Sequence, residues 1–343
     1  MPPAPSPLES RLPLAAAPMA GGASTVRLGA AVAAADAFPF LAGGYKTPEA
    51  LAAEIAELRA YGAPFGVNLF APNPVPIGEA VFRQYARQLQ PEADGYGLDL
   101  GQAPLVEDDD GWQDKLDLLL ADPVPVVSVT FGLPGSAEVA ALRRAGSRVL
   151  ITVTTLDEAR AAADVGADAL VVQGGEAGGH SGAFDPRRAV AALPVLELTR
   201  AVVAVTDLPV VATGGVDGGQ AAAELLHAGA ACVAVGTLLL RTAESGASAT
   251  HKDALADQAF PGTVLTRAFT GRPARGLRNQ FVERHEATAP LGYPAIHHLT
   301  RGLRQAAAAA GDPQRLHLWA GAGYRSAATG PAGSVLDGLA RGL

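Results

Sequence analysis

The sequence predicts an α/β protein: a (β/α)8 TIM barrel carrying a smaller helical cap or insertion domain. Three observations carry this. Eight short, nearly continuous apolar runs lie at 12–18, 38–42, 65–70, 124–131, 148–153, 168–173, 208–213 and 231–236. Such runs read as parallel strands buried on both faces. Segments of helical character separate them, and eight βα units in 343 residues are what a closed barrel needs. Glycine then punctuates the repeat: AYGAPFGVNLF, RAGSRVLITV, DVGADALVVQG and HAGAACVAVG each run from a helical stretch through a glycine into a strand. Gly62, Gly146, Gly166 and Gly229 sit where a left-handed C-cap closes a helix. A doubly wound sheet is the alternative architecture.

The helices are signalled at their starts as well. Thr47-Pro48-Glu49 supplies an N-cap, a proline at the first helical position and early negative charge. Leu51, Ile55 and Leu58 then fall on one face at helical spacing. Two regions stand outside the repeat. Residues 71–122 form an insertion with a helix at 78–90 and an acidic run EDDD at 107–110, which reads as a solvated turn rather than a metal site. The expected division is therefore a barrel over 1–245, interrupted by that insertion, and a polar, helical appendage over 246–343. The appendage holds a helix near 296–310, includes the last barrel helix and covers the barrel mouth.

Composition narrows the function. With 49% hydrophobic and 17% charged residues the chain can bury a large core. A net charge of −8 argues against general affinity for nucleic acid, whose phosphates need a basic surface. One cysteine, Cys232, excludes an intramolecular disulfide and a cysteine-only metal site, and its apolar setting marks it as a core thiol. The apolar run after Arg11 is broken by Pro13, Pro18 and Gly21 and reads as a first strand and loop, not a signal peptide. No stretch is long enough to span a membrane, so the cytoplasm is the expected location.

Barrels bind ligands at the C-terminal ends of their strands, and the notable residues fall there. Strand three ends near Asn68, and strand six ends at Gln173 in VVQGGEAGGHSGAF, which contains His180. Gly214 and Gly215 follow strand seven, and Gly236 and Thr237 follow strand eight. Glycine-rich turns at these two strands make a phosphate site of main-chain N–H groups. Asn68 and Gln173 each offer a donor and an acceptor to the edge of a heterocycle. His180 is the candidate catalytic residue, because imidazole titrates nearest neutrality. His297-His298 lie in a polar stretch and read as surface residues. Among three lysines only Lys46 lies near a strand end, and HExxH, P-loop and GxSxG motifs are absent. No metal is expected.

APMAGGAS, GVNLF, VVQGGEAGGHSG, VVATGGVDGG and AVGT together resemble the bacterial class I nitronate monooxygenases, formerly called 2-nitropropane dioxygenases. The resemblance spans 12 to about 285, with a weaker echo in WAGAGYRSA at 319–327. QGxEAGGHxG is its specific element. One departure follows strand one, where relatives carry a run like NAGGLG and this chain has AAADAFPF at 33–40. The resemblance implies a barrel binding FMN non-covalently. The main chain at Pro18, Met19, Ala20 and Gly21 would pass the flavin ring, and Asn68 and Gln173 would bond to it. Gly178, Gly215, Ala234, Val235, Gly236 and Thr237 would hold the ring, ribityl chain and phosphate, and His180 would be the active-site histidine. Tyr45 and Lys46 in LAGGYKT would face substrate.

The activity so implied is oxidative denitrification of alkyl nitronates, propionate 3-nitronate in particular, with O2, to a carbonyl compound and nitrite through a flavin semiquinone. His180 would serve either as a neutral base taking the α-proton of a nitroalkane, or as an imidazolium or hydrogen-bond donor holding the anionic nitro group. The alternatives are an FMN-dependent enoyl-ACP reductase drawing on NAD(P)H, whose loop is similar, and a flavin-free barrel enzyme acting on a phosphorylated metabolite. A non-catalytic FMN carrier is a further reading. A homodimer stays open.

Overall fold

The computed structural model describes residues 6–190 and 193–343. Eight parallel strands form the barrel: β1 (Leu14–Ala16), β2 (Phe40–Ala42), β3 (Gly66–Phe70), β4 (Val126–Thr130), β5 (Arg148–Val153), β6 (Ala169–Gln173), and, after a two-residue strand β7 (Gly179–His180), β8 (Val210–Thr213) and β9 (Cys232–Val235). Each lies within one of the eight apolar runs. The hydrogen-bonded order is β1-β9-β8-β6-β5-β4-β3-β2. A parallel bridge between Ala15 and Phe38 brings the two ends together, with Ala16 N–H donating to the Phe38 carbonyl at 2.9 Å.

The barrel helices are α1 (Val26–Ala34), α2 (Pro48–Arg59), and, after α3 (Glu79–Asp94), α4 (Trp112–Ala121), α5 (Ser136–Arg144), α6 (Leu156–Asp164), α7 (Val195–Val203) and α8 (Gly219–His227). The chain then runs through α9 (Ala249–Ala254), α10 (Gln280–His285) and α11 (Ala295–Ala309) before α12 (Ala332–Ala340). This last helix packs between α8 and α1 and completes the outer ring. Gly62, Gly146, Gly166 and Gly229 all have positive φ, as C-cap residues should. Thr47 accepts the Ala50 N–H at the start of α2, and Leu51, Ile55 and Leu58 are buried.

Strand alternation sorts the barrel residues into two sets. Leu41, Val67, Val127, Ile151, Leu170 and Val233 face the helices in the main core. Phe40, Val126, Leu150, Ala169, Val211 and Cys232 fill the barrel interior, with Leu8 packed among them. Further along β3, β4, β5, β6 and β8 the inward positions turn polar: Asn68, Ser128, Thr152, Gln173 and Thr213. The interior thus changes from a dry plug to a hydrogen-bonding floor at the C-terminal ends.

A second core joins α3 to the later segment. Phe82, Tyr85 and Leu89 pack with Phe269, Phe281, Ile296, Leu299 and Leu303. This segment is not wholly helical as its polarity suggests. Strands β10 (Thr263–Thr266) and β11 (Ala274–Leu277) pair antiparallel, and β11 pairs in turn with β7, setting Ala274 opposite His180. The pairing explains the miss, because TVLT and ARGL are too short for a period of two and gain their order from the His180 strand. No helix of the described residues is long and apolar enough to cross a membrane.

Candidate active site

Barrel mouth and second core enclose a cavity of about 610 Å³. It gathers every candidate named from the sequence: Pro18, Met19, Ala20, Gly21, Tyr45, Lys46, Asn68, Gln173, Gly178, His180, Gly214, Gly215, Ala234, Val235, Gly236 and Thr237. The floor is a polar lattice. Asn68 Nδ2 donates to Ser128 Oγ at 2.9 Å and Thr130 Oγ1 at 3.0 Å, and the Thr130 and Thr152 hydroxyls meet at 3.0 Å. Asn68 Oδ1 has no donor among the described residues, so the amide presents a free acceptor to the cavity.

Gln173 does different work. Its Nε2 donates to the His180 carbonyl at 3.2 Å and its Oε1 accepts the Gly182 N–H at 2.7 Å. Both ends of the amide therefore fix the loop that carries His180. Lys46 is engaged too, in an ion pair with Glu54.

The strand ends carry bare main-chain donors. The N–H groups of Gly178, Gly215 and Gly236 have no acceptor among the described residues and line the cavity. Close packing forbids side chains at two of these positions. A Cβ on Gly178 would lie 2.5 Å from Gly321 N, and one on Gly215, where φ is +71°, would lie 2.7 Å from a Glu176 carboxylate oxygen. Unsatisfied N–H groups beside a cavity are costly unless water or an anionic ligand takes them. The cradle fits a phosphate.

His180 stands at the opposite wall, ringed at 5.5–5.7 Å by Phe131, Tyr293 and Trp319. Its Nε2 lies 2.9 Å from Thr270 Oγ1. That hydroxyl donates to the Arg272 carbonyl at 3.2 Å, which leaves it to accept from Nε2–H. Nδ1 then keeps its lone pair, and it has no partner among the described residues. Burial lowers the His180 pKa to about 3, and Arg272 and Arg304 reinforce the shift. The imidazole is uncharged at neutral pH.

The neighbours of His180 include two guanidinium groups with no carboxylate partner among the described residues. Arg272 is fully buried, lies 4.1 Å from the Phe131 ring centre, and donates to the Ser181 and Ala183 carbonyls, while one of its terminal nitrogens has no partner. Arg304 lines the cavity, donating to Thr300 Oγ1 at 3.1 Å and to the His297 carbonyl at 2.9 Å. Burial brings its pKa down to about 10, so it remains a cation. A buried cation without a counterion is expensive. Facing a cavity, it favours an anion there.

Sequence reasoning missed several of these residues. His297 is not a surface residue: it is buried, and its ring stacks on Tyr45 at 4.2 Å. Polarity alone misleads at this position because α11 turns its polar face toward the cavity rather than toward solvent. The acidic run is likewise no solvated turn throughout, since Asp110 accepts the Tyr45 N–H at 2.8 Å and the Lys115 ammonium at 2.7 Å. Phe131, Thr270, Arg304 and Tyr293 carry no local motif. Trp319 opens the WAGAGYRSA echo, the one signal that could have placed it.

The nitronate monooxygenase family model matches residues 8–342. The chain belongs to the nitronate monooxygenase family. Among curated members, a probable nitronate monooxygenase of Staphylococcus aureus strain Newman is 33% identical over 339 residues, covering 97% of this chain and 94% of its own length. Among solved structures, a nitroalkane oxidase from Streptomyces ansochromogenes superposes with a TM-score of 0.93 at 49% identity, covering 97% of this chain and 96% of the other. FabK from Thermotoga maritima shares the fold, with a TM-score of 0.76 at 24% identity over 98% of this chain and 94% of its own. Family membership makes this chain an oxidoreductase and a nitronate monooxygenase by class. The TIM barrel is the family's fold, seen in these neighbours.

Proposed function

We propose that this nitronate monooxygenase oxidises alkyl nitronates with O2 to a carbonyl compound and nitrite, using non-covalently bound FMN. One observation carries the reading: an uncharged His180 and a buried Arg304 with no carboxylate partner among the described residues share a cavity lined by bare main-chain N–H groups. The N–H groups of Gly178, Gly215 and Gly236 suit the phosphate, with Gly214 and Thr237 beside them. Asn68 Oδ1 suits a ring N–H of the flavin, and Pro18 to Gly21, Ala234 and Val235 flank the space the ring would take. FMN, when bound, supplies the electron chemistry.

The chain's own residues bind and orient. A nitronate is already an anion, so no proton need leave carbon. Arg304 neutralises its charge in a site where burial strengthens the attraction. Arg301 lines the cavity one helical turn away and offers a second cation to a carboxylate, as on propionate 3-nitronate. Phe131, Tyr293 and Trp319 exclude water around the reacting carbon.

The uncharged imidazole favours a second use of the same site. With Nε2–H held by Thr270, Nδ1 can take the α-proton of a neutral nitroalkane while Arg304 holds the nitro oxygens as they gain charge. The deciding experiment is an anaerobic titration of the purified yellow protein with propionate 3-nitronate, followed in the visible. Bleaching of the oxidised-flavin bands by the nitronate, with no response to NADPH, is the expected result. Rapid bleaching by NADPH instead would make the chain an enoyl reductase, and a colourless folded protein would make it a flavin-free barrel.

A further inference from the structure

We propose that the acidic run 107–110 is a positioning clamp that sets the substrate-facing wall of the cavity through Tyr45. The inference rests on the reading that nitronate binds against this wall. The contacts are two hydrogen-bonded anchors and one close approach between them. Glu107 accepts the Ile77 N–H at 2.9 Å, ahead of α3. Asp108 comes within 3.0 Å of the His298 ring on α11 without hydrogen-bond geometry, His298 Nε2 having no hydrogen-bond partner among the described residues. Asp110 reaches the barrel, where one oxygen accepts the Tyr45 N–H and the other accepts Lys115 of α4. Lys115 is only 1% exposed, so this carboxylate is held in place from behind.

What Asp110 holds is a strained residue. Tyr45 has φ +66° and Asp110 itself +60°, a left-handed conformation that residues with side chains adopt at a cost. In that conformation the Tyr45 ring lies parallel to His297 at 4.2 Å and 8°, and its hydroxyl meets the Tyr293 hydroxyl at 3.3 Å. His297 in turn accepts Arg304 through its carbonyl and lies 3.2 Å from it through Nδ1. One carboxylate oxygen therefore fixes a run of contacts ending at the buried guanidinium. A buried ion pair kept only for stability can be replaced by apolar groups. Here the carboxylate also supplies an acceptor that no apolar group could replace.

Two double variants isolate that acceptor. Asp110→Asn/Lys115→Met and Asp110→Gly/Lys115→Met both remove the buried charges, and both Asn and Gly tolerate the left-handed backbone. They differ in the side-chain oxygen that meets Tyr45. In the FMN-loaded protein, the Asn variant is expected to keep the KM for propionate 3-nitronate within about twofold of the parent. The Gly variant should raise it about tenfold with kcat little changed, as loss of one buried hydrogen bond predicts. Adding Tyr45→Ala to the Gly variant should raise KM no further.

Hydrogen exchange provides a readout independent of turnover. Amides of 293–301 should exchange faster in the Gly variant than in the Asn variant. Equal KM values and equal exchange in the two variants would overturn the clamp, as would a Tyr45→Ala effect that multiplies in full. If the parent turns over no nitronate, the functional reading fails, and the exchange comparison still decides the clamp.

Discussion

The barrel side of the cavity offers main-chain donors at its strand ends beside a floor of polar side chains, whereas its roof is side chains from the cap. At the barrel strand ends, Gly178, Gly215 and Gly236 present N–H groups that cannot rotate away, set by strands whose register is fixed on both sides. At the roof, His297 and Arg304 come from α11, Tyr293 from the turn just before it and Trp319 from the loop ten residues beyond it, and the second core packs this segment over the barrel. Main-chain donors suit a ligand that never varies. Side chains can be exchanged without disturbing the barrel. Under the proposed function the barrel side would take the cofactor and the roof the substrate.

Substitutions that separate the two walls give the sharpest checks. The largest effect is expected for His180→Asn, which should reduce nitroalkane turnover by roughly 10²–10⁴-fold, the usual worth of a positioned base. FMN content should stay at the parent level. Loss of the flavin with the histidine would erase the distinction between the walls. Arg304→Met comes next, with KM for a nitronate rising roughly ten- to a hundredfold, as expected for a charge-assisted contact. A neutral nitroalkane should be affected less at KM, and an equal change for both substrates would remove the anion from the argument. Thr270→Val should cost about tenfold or less in turnover, because it frees the imidazole tautomer without removing the base.

The smallest expected effect is on stability, and it concerns two buried imidazoles that line the cavity, His180 on β7 and His251 on α9. His180 and His251 are buried with pKa values lowered to about 3 and about 4, against an ordinary 6.5, burial being the main cause for both. Between the lowered value and 6.5 the unfolded chain binds more protons than the folded one, so stability is lost as pH falls through that window. At pH 5 each such imidazole costs up to about 2 kcal/mol relative to alkaline conditions. Thermal melts at pH 7.5 and pH 5 should show a drop in Tm that is smaller in His251→Gln than in the parent. Identical drops would show that the roof does not hold His251 uncharged.

The same division explains what the sequence discloses. The eight strands are readable because each is a dense apolar run, four of them entered through a glycine at a helix end, and such signals are local. Asn68, Gln173 and the glycine turns follow from strand ends plus a family motif. The cap is harder because its chemistry depends on assembly. Arg304 looks like any helical arginine until Leu303 and Leu299 bury one face of α11 against Phe82 and turn the other to the cavity. His297 in a polar stretch, and Asp110 in an acidic one, mislead for the same reason. β10 and β11 take their order from a partner about ninety residues earlier in the chain.

The position of α12 in the chain has a consequence for biosynthesis. This helix seals the barrel between α8 and α1, yet the ribosome makes it only after every cap segment has been translated. A nascent chain stalled before Ala332 therefore holds eight strands with a gap in their outer ring, exposing the faces of α1 and α8 that Leu336 and Leu339 later cover. The cap cannot be grafted or trimmed as a tail. Any exchange of substrate roofs between relatives has to be made as an internal replacement that returns the chain to Ala332.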